Sequence, residues 1–121
     1  RKVLDDLGGY DENLAYEDFD FWVRSAKKYQ YCYSQEILVV KRQLPDSHSS
    51  SQYKFRSALL ASTYKVCEKA FILCDSQLEY KALRKRIQFE LMKSVQTVNL
   101  PTARKFVGLL GRVNKRLREL S

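Results

Sequence analysis

Between Tyr16 and Arg24 the sequence places three carboxylates, Glu17, Asp18 and Asp20, among Phe19, Phe21, Trp22 and Val23. On a helical wheel at ~100° per residue, Phe19, Trp22, Val23 and Ala26 gather on one apolar face, with Asp18 at its margin. Glu17 and Asp20 fall on the polar face with Arg24, Lys27 and Lys28. Burial disfavours a charged carboxylate while a helix N-terminus favours it, and a general base needs a balance of the two. Asp18 is therefore the candidate base for a hydroxyl brought within hydrogen-bond reach. The bland alternative is a first-turn acid that only complements the helix dipole. Trp22 reads as core, and Asp20 with Arg24 reads as an exposed i,i+4 ion pair.

The surrounding elements follow from punctuation and period. A short helix over residues 1–7 is stopped by Gly8-Gly9, and Asp11-Glu12-Asn13 reads as a turn. The acid-bearing helix runs from about Glu17 to Tyr29. Residues 30–42 are rich in Tyr, Ile and Val, and Ile37-Leu38-Val39-Val40 reads as a buried strand. The polar run 45–51 is a loop, after which three helices are expected at about 50–74, 77–98 and 102–120. The first of these has a core face of Phe55, Leu59, Val66, Ala70 and Leu73.

These residues form a recognisable pattern. The run Leu7-Gly8-Gly9-Tyr10-Asp11-Glu12-Asn13-Leu14, then Tyr16-Glu17-Asp18-Phe19-Asp20-Phe21-Trp22-Val23-Arg24, resembles the acceptor-side half of family 2 glycosyltransferases. The resemblance continues through Ala26-Lys27-Lys28-Tyr29 and Ile37-Leu38-Val39-Val40-Lys41-Arg42, so that it covers about residues 3–50. These enzymes have the GT-A fold and transfer a sugar from a nucleotide-sugar donor to an acceptor hydroxyl with inversion. The resemblance implies that Asp18 deprotonates the acceptor and that Glu17 positions it. It implies that Gly8 and Gly9 let backbone approach the donor sugar, or serve only as a turn. Arg42 would help hold the diphosphate, or be an ordinary surface arginine. Trp22 and Arg24 belong to the motif as well. Many relatives carry a His two residues after that Arg, where this sequence has Leu44; the lone His48, ahead of three serines, reads as a solvated loop residue.

The implied fold class is a mainly helical α+β arrangement. It comprises a C-terminal fragment of a GT-A (Rossmann-like) α/β domain with one or two short strands (residues 1–50) and a basic helical extension of about three helices (residues 51–121). The donor half and its Asp-x-Asp metal motif are expected upstream, so this stretch alone should be inactive. A divalent cation, Mg or Mn, is implied for the full-length enzyme, with no ligands on this chain. The implied partners are a nucleotide-sugar donor and a glycan or lipid-linked acceptor.

Charge divides the chain at the same place. Residues 1–50 carry seven basic and nine acidic groups, a net −2; residues 51–121 carry fifteen and five, a net +10. The whole is 121 residues with net charge +8, one domain's worth of sequence with ordinary globular hydrophobicity. From Ala103 to Leu120 a clean apolar stripe, Ala103, Phe106, Leu109, Leu110, Val113, Leu117 and Leu120, opposes Arg104, Lys105, Arg112, Lys115, Arg116 and Arg118. That helix either docks on the preceding helices or lies on an anionic membrane surface. Nucleic-acid binding is the generic rival for a basic module with eight tyrosines, and no recognised motif supports it. Three cysteines, an odd count without zinc spacing, suit a reducing compartment; Cys67 and Cys74 read as packing residues. The expected location is cytoplasmic, at the inner membrane face if the basic helix docks there.

Overall fold

The computed structural model describes residues 1–42, 44 and 47–121, without the side chains of residues 48 and 49. Five α-helices follow one another: α1 (Lys2–Asp6), α2 (Glu17–Ala26), α3 (Ala58–Leu73), α4 (Gln77–Gln96) and α5 (Leu100–Glu119), with a 3-10 turn at His48–Ser51.

Each long helix begins on a legible signal. Ser57 Oγ accepts from the Leu60 amide at the start of α3. Ser76 and Glu79 form a reciprocal capping box on α4, and Pro101 occupies the first turn of α5. The connection at residues 97–99 is short enough to fold α5 back along α4. Val98 takes a left-handed φ of 57° there. Asn99, buried, fixes the corner by donating to the Lys54 carbonyl and accepting from the Arg56 amide.

The core lies among α3, α4 and α5, centred on Leu60, Cys67, Ile87, Phe106, Leu109 and Val113. Leu59 and Val66 are buried as expected, whereas Phe55 lies ahead of α3 and is exposed. The α5 stripe docks internally: Ala103, Phe106, Leu109, Val113 and Leu117 are buried, while Leu120 at its end is exposed. The stripe's geometry suits this, since Phe106 meets Tyr64 edge-on at 5.4 Å.

The α/β expectation is overturned. Among the described residues there is no strand, and the GT-A fragment with one or two short strands is absent. Ile37, Leu38, Val39 and Val40 run as irregular chain, 72–89% exposed. A strand is completed only by a neighbour that takes its N–H and C=O groups, and none of the described residues does so. The regular structure of the described residues is therefore all helical, with irregular chain at residues 30–42. Residues 45 and 46 of the expected loop, and the side chain of His48, lie outside the described residues.

Candidate active site

The wheel reading of α2 departs from the structure at several positions: Asp18, expected at the buried margin, and Ala26, expected on the apolar face, are exposed, and two others are inverted. Asp20, expected on the solvated face, is 1% exposed, and Trp22, expected in the core, is 52% exposed. The cause is Lys69 on α3. Its ammonium donates to Asp20 Oδ1 at 2.8 Å and to Asp11 Oδ2 at 2.7 Å. Arg24 Nε donates to the other Asp20 oxygen at 2.8 Å. A buried carboxylate with two charged donors is tolerated because its attraction to them offsets its desolvation. Burial pulls the Lys69 ammonium down, but its bonds to Asp11 and Asp20 outweigh this and raise it. The same ammonium, with the Asn13 amide, holds Asp11 below the usual carboxylate range.

Arg24 also ties the glycine turn to α2. Its Nη1 donates to the Leu7 carbonyl and its Nη2 to the Gly9 carbonyl, both at 2.7 Å. Gly8 and Gly9 sit at φ 72° and 77°, the left-handed region in which a side chain is strained. No neighbour crowds either one, so backbone angle and not space calls for glycine. A second tether docks the segment on the bundle: the Ala15 amide donates to Ser62 Oγ of α3 at 2.9 Å. Tyr10 packs against Phe21 with ring centroids 5.0 Å apart.

Against this frame the acids have separate positions. Asp20 is internal and saturated. Glu17 is half-buried at the start of α2. Asp18 is exposed in the first turn and has no side-chain partner among the described residues. Trp22 lies one turn further on the same side, since i and i+4 are helical neighbours. A free carboxylate thus stands next to an exposed aromatic ring, on a helix locked at its other face.

Arg24 ties the Gly8-Gly9 turn to the Asp20 side of α2, while Glu17 and Asp18 stand on the same helix without a bond to that turn among the described residues. The structure does not bring Arg42 to them: that side chain is exposed and has no partner among the described residues. Four surface grooves, of about 610, 130, 330 and 460 Å³, are lined by residues other than these. The sequence reading makes Asp11 only a turn residue and gives Lys69 no role, whereas the structure joins the two. One signal was available, because Lys69 lies three residues after Val66 on the apolar side of α3, where an unpaired lysine would be costly.

Among the described residues no group of three or more His, Cys, Asp or Glu is placed to hold a metal ion. The acids nearest the motif do not fit a divalent cation, because Asp11 and Asp20 are already neutralised by Lys69 and Arg24. No helix among the described residues is long and apolar enough to cross a membrane. Comparisons with protein-family models, curated proteins and solved structures found no match.

Proposed function

We propose that this chain is the acceptor-side part of an inverting glycosyltransferase in which Asp18 is the general base. The observation that carries the reading is the separation of the two aspartates. Asp20 is consumed by structure, whereas Asp18, two residues away, is left free at the surface beside Trp22. A base must be unpaired to accept a proton and must be reachable by the substrate. Asp18 meets both requirements, and the motif around it matches the spacing of family 2 glycosyltransferases.

In this reading Trp22 offers an apolar ring face on which an acceptor sugar packs, and Glu17 takes a hydrogen bond from one of its hydroxyls. Asp18 removes the proton from the attacking hydroxyl as the oxygen bonds to the anomeric carbon and the nucleoside diphosphate departs. The Gly8-Gly9 turn, fixed by Arg24, presents backbone without side chains beside this helix. Arg42 is positioned to serve the diphosphate only if the segment carrying it moves toward α2. The donor is a nucleotide-sugar and the acceptor a glycan or a lipid-linked sugar. A divalent cation would have to find its ligands elsewhere.

We propose a cytoplasmic location, as an odd count of three cysteines without disulfide or zinc spacing suits a reducing compartment. With the apolar stripe of α5 turned inward, contact with an anionic membrane would fall to its outward arginines and lysines. The test is Asp18→Asn in the intact enzyme, assayed for transfer from a panel of nucleotide-sugars with folding followed by circular dichroism. Loss of transfer in a normally folded variant supports the assignment; normal transfer removes Asp18 as base.

A further inference from the structure

The net +10 of residues 51–121 is not evenly neutralised. Several cations are occupied: Arg86 pairs with Glu90, Arg112 with Glu68 and Arg116 with Glu119. Lys93 lies over Tyr53 and Phe89, and Lys105 over Tyr64. Arg84 on α4 and Arg118 on α5 pair with no carboxylate of the described residues. These two line one groove of about 460 Å³ between the first half of α4 and the last half of α5, together with Asn114 and Leu117.

Arg84 is held there by packing. It is half-buried, and its Nε is sealed from water with no hydrogen-bond partner. With Nε packed away, the side chain has less freedom left to lose when it takes a ligand. Arg118 faces the same groove from α5, and the Asn114 amide adds a neutral donor and acceptor. Lys81 and Lys85 are exposed on α4, and Lys115 is exposed on α5. The one acid at this end of α5, Glu119, is engaged by Arg116 at 3.1 Å.

Two guanidinium groups and an amide lining one groove, with no carboxylate among its lining residues, suit the oxygens of a phosphate. A planar fork takes two phosphate oxygens at once, and a dianion relieves the repulsion between the two cations. The groove is larger than a phosphate alone and open to solvent, so it suits a phosphate carried on a larger body. We propose that the α4–α5 groove binds a phosphate monoester through Arg84, Arg118 and Asn114. This site is independent of the transfer activity, since none of its residues belongs to the motif of residues 3–50.

The experiment uses the full chain and two probes. Inorganic phosphate is titrated in by amide-detected NMR, and phosphatidylcholine vesicles with or without phosphatidic acid are tested by sedimentation. Saturable shifts at Arg84, Asn114 and Arg118 are expected, weakened roughly tenfold or more in Arg84→Gln and in Arg118→Gln. Arg104→Gln, which removes the same charge from the other end of α5, should leave binding unchanged. Sedimentation with phosphatidic acid vesicles, reversed by inorganic phosphate, would identify the source as a lipid head group. Phosphate binding without vesicle binding would identify a soluble phosphate. No saturable binding of either probe overturns the proposal. So does an equal loss in the Arg84, Arg118 and Arg104 variants, which would mean a diffuse basic surface.

Discussion

Replacing Asp20 by Asn tests whether the motif's second aspartate is structural. The side chain is 1% exposed and accepts from Lys69 and Arg24, each at 2.8 Å. Removing one partner of a buried ion pair costs about 3–5 kcal/mol when the other charges are stranded. Here they are not fully stranded. Lys69 keeps Asp11, and Arg24 keeps the carbonyls of Leu7 and Gly9. Both cations also reach water, with side chains 37% and 23% exposed. The expected loss is therefore about 2–3 kcal/mol. At this chain length 1 kcal/mol moves Tm by about 4 °C, so Asp20→Asn should melt roughly 8–12 °C lower. Thermal unfolding followed by far-ultraviolet circular dichroism reads this directly, with urea titration as a second measure. Asp18→Asn is the internal control, because an exposed and unpaired side chain should change Tm by no more than about 2 °C. An Asp20→Asn variant that melts within about 2 °C of the parent would refute the reasoning, as would equal losses at both positions.

Three further outcomes are expected. Thiol labelling at neutral pH should modify Cys32 first, because it is exposed, and Cys67 only on unfolding, since burial pushes its thiol up to about 12; mass spectrometry of timed samples gives the order. Lys27, with the backbone N–H groups of Asp75 and Ser76, holds Glu79 down at about 2. A depressed carboxylate stabilises above its unfolded value and loses that contribution as pH falls, here from about 4.5 toward 2. Glu79→Gln keeps the capping box, so it should flatten the acid limb of stability against pH without disturbing the start of α4. Finally, Val39→Lys should leave Tm unchanged and slow aggregation at high concentration, because Val39 is 82% exposed within an unpaired apolar run; light scattering over time checks it.

The helical bundle was legible because its signals are local. The α5 stripe repeats at helical spacing and docks where that spacing requires, and the gap between the helices expected at 50–74 and 77–98 coincides with the Ser76 cap of α4. Gly8-Gly9 could be read as a turn for the same reason, since the left-handed angles favour glycine whatever surrounds them. Asp20 failed because hydrophobic periodicity treats every carboxylate as solvent-seeking. Its partner Lys69 lies 49 residues away, and no short-range pattern announces the pair. Trp22 failed with it: once Asp20 and Ser25 face inward, the opposite side of α2 turns to water. Ile37–Val40 has the composition of a strand, but composition does not supply the neighbouring strand that would complete it. Asp18 lies in the first turn of α2 as its spacing requires, but it is exposed where the wheel placed it at a buried margin.

The proposed transfer activity is tested most directly by the initial rate of nucleoside diphosphate release from a nucleotide-sugar, with acceptor at saturation, by the full-length protein with and without Asp18→Asn. General-base catalysis contributes roughly 10²–10⁴-fold, so the rate should fall by that order while nucleotide-sugar affinity and Tm stay at parent values. A rate within a few-fold of the parent would contradict Asp18 as the base, and with it the proposed role of the motif.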